Sequence, residues 1–384
     1  MTWKRIKPLV KVRRVPAFAA TQNGLEANYL AALRTNAGLA SRQDFSFNAA
    51  VRRRKSSSGR IIGAGGAIMK AILASVTLAL CLLGILPGQS SARIIVGLSS
   101  VNVAFLPVYV SEAKGFFKDE GLDVLLVLFN AGATNLQALV GGDVQIMGSA
   151  FVETIGGRAA GIDIKNFWGI SNIMPFQLYS QPDFKSMKQA KGKRFAISRF
   201  GSLTDFLTRA SLRHFGIDAK EVTILQIGST PARFAALSAK GVDASLVWFP
   251  VTEIAKTQGY NKLLDLKEVF PEWPYETFAA RESYLGREKE QVTKFLRAYQ
   301  RGIKYTHENK ADAVNILRKY VKIDPAYAPA GYDEYRDSFP VNGHIAEKAI
   351  PVVIEEEFQT GRIKKKLSLE DLLDRSFIKS LGGK

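Results

Sequence analysis

Leu136-Gln137-Ala138-Leu139-Val140-Gly141-Gly142-Asp143-Val144-Gln145-Ile146 holds a helix, a turn and a strand in one short stretch. Leu136, Leu139 and Val140 share a helical face, the Gly pair breaks the helix, and an apolar run opens behind it. The pattern returns in Phe234-Ala235-Ala236-Leu237-Ser238-Ala239-Lys240-Gly241-Val242-Asp243-Ala244. One such unit in each half of the chain fits two similar lobes. Brief apolar runs at 94–98, 124–129, 144–147, 195–198, 222–227 and 245–249, bounded by Gly, Asp or Asn, suit strands covered by helices on both faces. Amphipathic segments at 106–114, 136–140, 203–214 and 232–239 lie between them, and such alternation builds βαβ units. The expected fold class is therefore α/β: two lobes, each a mixed sheet flanked by helices, joined by two crossover hinge strands at 176–180 and 277–283. Lobe I then comprises residues 93–178 plus 281–384, and lobe II residues 179–280.

Beyond Ser283 the pattern turns helical. Val292, Phe295, Leu296, Tyr299 and Ile303 give a helix over 289–308 with one buried face. Helices are also expected at 311–320 and 369–381. Glu355-Glu356-Glu357 and Lys364-Lys365-Lys366 read as solvated faces.

The chain has 384 residues and a formal charge of +18, which invites a nucleic-acid reading until the charge is located. Residues 1–92 contain 14 of the 53 Lys and Arg but only Glu26 and Asp44 among the 35 acids. The remaining 39 basic and 33 acidic residues leave the body at +6. No basic stripe interleaved with aromatics runs through that body, so no nucleic-acid partner is expected. Met69-Lys70, the uncharged apolar run 71–86, the Pro87-Gly88 break and the small residues Ser90-Ser91-Ala92 have the order of a secretory signal peptide cleaved after Ala92. Residues 69–92 are read as that leader, and 1–68 as a non-native or disordered extension. Cys81, the only cysteine, follows Leu80 inside the apolar run, which does not suit lipidation. The mature chain would then lack cysteine, excluding disulfides and thiolate chemistry. Ile61-Ile62-Gly63-Ala64-Gly65-Gly66 fails as a dinucleotide fingerprint, because Ile68 stands where the third Gly belongs.

The body also lacks the parts of common enzymes. His214, His307 and His344 stand in no metal-binding spacing, and neither a Walker loop nor G-x-S-x-G occurs. No catalytic residue, metal or cofactor is expected. Helix starts, by contrast, are well marked. Thr134-x-x-Gln137 and Ser202-x-x-Asp205 have capping-box spacing, Thr230-Pro231 places a cap before a Pro, and Ser149 is a further cap candidate. Each cap ends a strand-to-helix turn, the edge at which open α/β sheets bind ligands.

The run Ala113-Lys114-Gly115-Phe116-Phe117-Lys118-Asp119-Glu120-Gly121-Leu122 carries a family look. So do Ile95-Val96-Gly97-Leu98, Leu139 to Gln145, Lys191-Gly192-Lys193-Arg194-Phe195-Ala196-Ile197-Ser198, Gly201-Ser202, Gly241-Val242-Asp243-Ala244 and Phe278-Ala279-Ala280-Arg281-Glu282. In their order and spacing, nearly all of 93–384 resembles the periplasmic binding proteins for aliphatic sulfonates, taurine, nitrate and thiamine-pyrimidine precursors. Gln145 departs from the pattern, which often has Asp there. The resemblance implies a type II periplasmic-binding fold and a non-enzymatic monomer in the periplasm. It would deliver a small anionic or heteroaromatic solute to an ABC permease at the inner membrane. A sensory receptor as partner, or a thiamine- or menaquinone-precursor enzyme on the same fold, are the alternatives. The ligand would lie between the lobes, held by helix N-termini, whose free N–H groups and dipole suit anions. Mapped onto this chain, the contacts would be Ser99, Ser100, Asn102, Ala133, Thr134, Ser149 and Ala150 from lobe I. Gly201, Ser202 and Thr204 would face them from lobe II, with Arg199 as an anion partner and Trp248 and Phe249 as an apolar wall.

Overall fold

The computed structural model describes residues 93–381. The proposed leader, Cys81 and the 1–68 extension lie outside the described residues. Two five-stranded mixed sheets organise the body. The first has the order β2-β1-β3-β10-β4, with β1 Ile94–Leu98, β2 Val124–Leu128, β3 Ile146–Ala150, β4 Ile164–Ser171 and β10 Glu276–Arg281. The second has the order β7-β6-β8-β5-β9, with β5 Gln177–Ser180, β6 Arg194–Ile197, β7 Thr223–Gln226, β8 Ala244–Val247 and β9 Asn261–Asp265. In each sheet four strands run in one direction and one, β10 in the first and β5 in the second, runs against them. The lobes are thus built on one plan, as the echo between the two units anticipates.

The helices used below are α1 Leu106–Ala113, α2 Gly132–Gly141, α3 Phe151–Ala159, α4 Leu203–His214, α5 Thr230–Ser238, α6 Lys289–Glu308, α7 Lys310–Val321, α8 Ala328–Tyr335 and α9 Ile350–Gln359. In both units the helix closes on a left-handed residue, Gly142 at φ 85° and Lys240 at φ 56°. The next echoed position also does one job in each lobe. Gln145 Oε1 accepts from the Ile95 amide at 2.9 Å, and Asp243 Oδ2 accepts from the Arg194 amide at 2.7 Å. Both tie the end of the turn to the central parallel strand, so Gln145 keeps the acceptor and omits the charge. These are structural contacts, remote from any cleft.

The expected crossover strands need correction. β5 pairs along its whole length with β8 and β9, and β10 with β3 and β4. Their backbone donors and acceptors are used up within one sheet each. The chain passes between the sheets just before each strand, at 172–176 and 270–275. Strands β4 and β9, at the edges of the two sheets, gave no clear sequence signal. Residues 369–381, expected as one helix, form two short ones, Leu369–Leu372 and Ser376–Leu381.

α6 forms over the expected range, and Val292, Phe295, Leu296, Tyr299 and Ile303 are all fully buried. It packs on α1 at a close crossing. A Cβ at Gly302 would sit 2.1 Å from Ser111 Oγ and 2.5 Å from the Pro107 carbonyl. Glycine is what lets the two backbones approach.

Candidate functional site

Parallel strands β1 and β3 of lobe I and β6 and β8 of lobe II end where the starts of α2, α3, α4 and α5 gather. Three of these helix starts meet directly across the lobes. The Ala133 amide in the first turn of α2 donates to Ser202 Oγ at 3.1 Å. The Leu203 amide, first in α4, donates to Glu153 Oε1 of α3 at 3.0 Å. Arg199 Nη1 adds a longer contact to Thr134 Oγ1 at 3.3 Å.

These bonds revise the expected caps. The N-cap of α2 is Ala131, so Thr134 lies inside the helix and no capping box forms with Gln137. Ser202 is the N-cap of α4 in backbone conformation, yet its hydroxyl serves Ala133 of the other lobe. Asp205 reaches back to the Gly201 amide at 3.0 Å instead of completing a box with Ser202. Ser149 lies within β3, and Ala150 is the N-cap of α3. α5 is capped by Ser229, so Thr230 is helical, and its hydroxyl accepts from buried Arg233 at 2.9 Å.

Two carboxyls that the sequence reading passed over dominate the interior of the site. Glu153 is 2 % exposed, and its second oxygen, Oε2, has no hydrogen-bond partner. Burial pushes its carboxyl up to about 8, against the pull of the Leu203 amide and Arg362. Glu276, at the head of β10, is also 2 % exposed and accepts from Ser99 Oγ at 3.2 and 3.4 Å. Burial, and then the neighbouring Glu153, hold it well above the usual carboxylate range. Among the described residues neither carboxyl has an ion-pair partner. Both stand in apolar runs, Phe151-Val152-Glu153-Thr154-Ile155 and Glu276-Thr277-Phe278-Ala279-Ala280, where a lone acid was the available signal.

The lining from lobe II and the two crossover segments is aromatic, with one buried cation. Trp248 meets Phe176 edge to face at 5.0 Å, and Phe176 meets Tyr275 the same way at 5.7 Å. The Arg233 guanidinium lies 5.6 Å from the Trp248 ring. It donates to the carbonyls of Gly228 and Leu246, while its Nε is unpartnered. Burial lowers its pKa, but a guanidinium still stays protonated at neutral pH. Tyr335 Oη is likewise buried without a partner.

The expected contacts sort by what they now touch. Ser99, Ala133, Thr134, Ser149, Ala150, Arg199, Ser202 and Trp248 are placed at this junction. Asn102 accepts from the Ala104 amide and donates to Ser100 Oγ, at 2.7 and 2.6 Å, and its side chain also bears on the Glu276 carboxyl. Thr204 Oγ1 accepts from the Ser198 amide of its own lobe at 2.8 Å. Gly201, left-handed at φ 82°, shapes the turn before α4. Phe249 packs on Tyr327, with ring centroids 6.3 Å apart, and on Gly331, so it closes an interlobe contact and is no open wall.

Beside the junction, Asp205 is held by Arg209 at 2.8 Å and by Arg362 at 3.2 Å. Arg362 also pairs with Glu357 at 3.0 Å, and Arg213 with Glu356. These pairs connect α4 to the C-terminal segment carrying α9. Glu357 is therefore buried, contrary to the solvated face expected for the Glu run; burial pushes it up to about 7. Surface depressions of about 240 Å³, by Lys165, Glu282 and Lys289, and about 490 Å³, by Pro271, Glu272 and His344, lie away from this junction. Among the described residues no three His, Cys, Asp or Glu are grouped to hold a metal, and no helix is long and apolar enough to cross a membrane.

Known proteins resemble this arrangement. The family model described as NMT1/THI5 like matches residues 102–313. The provisionally named binding protein YtlA of Bacillus subtilis (strain 168) is 24 % identical over 71 % of this chain and 85 % of its own length. A provisionally named aliphatic sulfonates-binding protein of the same organism is 25 % identical over 73 % and 86 %. The alkanesulfonate-binding protein SsuA of Xanthomonas axonopodis pv. citri, solved with MOPS bound, superposes with a TM-score of 0.62. It shares 18 % identity over 74 % of this chain and 99 % of that one, which is a likeness of fold.

Proposed function

This chain belongs to the NMT1/THI5-like family, and on that premise we propose that it is an exported solute-binding protein serving an ABC importer. The observation that carries the reading is the meeting of helix starts across the lobes: Ala133 with Ser202, and Glu153 with Leu203. Each bond joins lobe I to lobe II where open α/β sheets hold ligands. Relatives named for binding, one of them for aliphatic sulfonates, support the assignment.

The lobe built on β1–β4 and β10 and the lobe built on β5–β9 would swing about 172–176 and 270–275. A solute would enter the open cleft and be enclosed by closure, gaining contacts from both lobes that the open form lacks. The bound, closed protein is then what an inner-membrane permease would receive. The solute is a small organic molecule, contacted by Ser99, Ser149, Ser202 and the aromatic edge of Trp248.

The test is a melting-temperature screen with solutes on the wild type and on a Ser202→Ala/Thr134→Val double variant. A binding solute raises the wild-type melting temperature, because it binds only the folded state. The double variant should lose most of that rise while keeping its own fold. Equal rises in both proteins would remove the helix-start junction from the binding site.

A further inference from the structure

We propose that residues 345–373 form a strap rooted on lobe I, whose tip grips α4 of lobe II and so governs how readily the lobes part. The inference goes beyond the solute-binding reading: it concerns the motion of the lobes and needs no solute.

The first support is how the strap is rooted. On its way out it meets Asn172, the residue directly after β4 and the first of the 172–176 crossover. The Asn172 side chain donates to the His344 carbonyl at 2.9 Å and accepts from the Ala346 amide at 3.1 Å. On its return the strap meets Asn166 of β4, whose Nδ2 donates to the Leu372 carbonyl at 3.3 Å. The Asn166 carbonyl also accepts from the Asp374 amide at 2.8 Å. Arg375 spans the base, holding the two carboxylate oxygens of Glu347 at 2.9 and 2.7 Å, a planar two-bonded geometry. Both ends are thus fixed to one edge of lobe I, and the loop between them is not free to travel with lobe II.

The second support is the fit of the tip to α4. Asp205, Arg209 and Arg213 stand four residues apart and share one face of that helix. Against this face the strap brings Glu356, Glu357 and Arg362. Arg362 pairs with Asp205 at 3.2 Å and with Glu357 at 3.0 Å, while Glu356 pairs with Arg213. The turn after α9 sets where the Arg362 side chain begins. Gly361 is left-handed at φ 70°, its amide donates to the Phe358 carbonyl at 2.9 Å, and the Arg362 amide donates to the Glu357 carbonyl at 3.0 Å. This is the Schellman closure of a helix, and it holds the cation toward α4.

The third support is position. Asp205 lies two residues beyond Leu203, whose amide bonds to Glu153 across the lobes. The strap therefore grips α4 directly behind the junction, and lobe II cannot swing away from a fixed root without parting these pairs. Asp205 and Glu357 are 3 % and 1 % exposed. Charges so buried are screened little by salt, so the grip acts at physiological ionic strength.

Amide hydrogen exchange, resolved by residue, tests this without a solute. The Ala133 and Leu203 amides lie in first helical turns, which offer no intrahelical acceptor. Their partners are Ser202 Oγ and Glu153 Oε1 of the opposite lobe, so their protection reports parting of the lobes. Both amides should exchange several-fold faster in Arg213→Ala. In Arg362→Gln the increase should be roughly tenfold or more, since a buried set loses its cation. The amides of β1 and β6 should keep their wild-type rates in both variants. The charge swap Arg213→Glu/Glu356→Arg should restore slow exchange, and it decides the matter if Arg362→Gln does not fold. Unchanged exchange at Ala133 and Leu203, or an equal rise in β1 and β6, would overturn the proposed role. So would a swap that exchanges as fast as Arg213→Glu alone.

Discussion

Glu153 shows how much one side chain decides here. Its carboxyl packs against Gly132, where a Cβ would lie 2.2 Å from Oε1 and 2.7 Å from Ser149 Oγ. Gly132→Ala should gain some helix propensity, up to about 1 kcal/mol. The crowding should cost more, about 1–3 kcal/mol, because the displaced carboxyl is the one bonded to Leu203. Chemical denaturation would show a net loss in the single variant that shrinks when Glu153→Ala is added, since the crowded atoms are then gone. Additive losses would mean that Gly132 and Glu153 act separately.

The same residue sets a pH dependence. An exposed carboxyl of this type loses its proton near 4.5, whereas Glu153 in the folded protein keeps it up to about 8. Its contribution is therefore complete below about 4.5 and is lost as pH rises toward 8, on the order of a few kcal/mol in all. Glu276 is coupled to it and titrates in the same direction, and the Arg362 charge pulls the other way. Melting temperature against pH should fall across this window in the wild type and flatten in Glu153→Gln. An unchanged slope in that variant would assign the effect elsewhere.

At the scale of elements, the crossing of α6 over α1 is the tightest helix contact considered. Gly302→Ala must push Ser111 and the Pro107 carbonyl aside, and the carbonyl cannot rotate away. A loss of about 1–3 kcal/mol is expected in urea denaturation, with solute binding retained in the protein that remains folded. A neutral result would mean the two helices can slide apart.

Periodicity made most of this architecture legible beforehand. β1, α4 and α6 occupy their expected ranges, because one buried face leaves a clear pattern in sequence. β4 and β9 escaped notice because polar residues, Lys165-Asn166 and Asn261-Lys262, interrupt the apolar runs that mark the other strands. The cap motifs misled in an instructive way. Ser202 is an N-cap by backbone, but the partner of its hydroxyl comes from the other lobe, and spacing along the chain cannot reveal that. Glu153, Glu276 and Arg233 were hidden for the same reason: their roles depend on burial among residues distant in sequence.

Across the whole molecule, the two lobes hold together through few polar bonds at the helix starts and a charged lattice behind them. Asp205, Arg209, Arg362 and Glu357 tie α4 to the C-terminal segment. Removing one member of such a buried set leaves the others unpaired, which costs about 3–5 kcal/mol. Asp205→Ala should therefore lower the melting temperature by several degrees even without solute. A surface substitution such as Glu290→Ala should not, since its pair with Lys294 is exposed and such pairs contribute little.

The central claim is that a solute is enclosed by movement of one lobe onto the other. Val140, at the end of α2, and Phe215, just beyond α4, are both exposed and lie on different lobes. Spin labels at Val140→Cys and Phe215→Cys, introduced with Cys81 replaced, would report the distance between the lobes by pulsed electron paramagnetic resonance. With a probe that raises the melting temperature, the distance distribution should narrow and shift to one population. A distribution unchanged at saturating probe would show that the solute binds without closure, and would contradict the account.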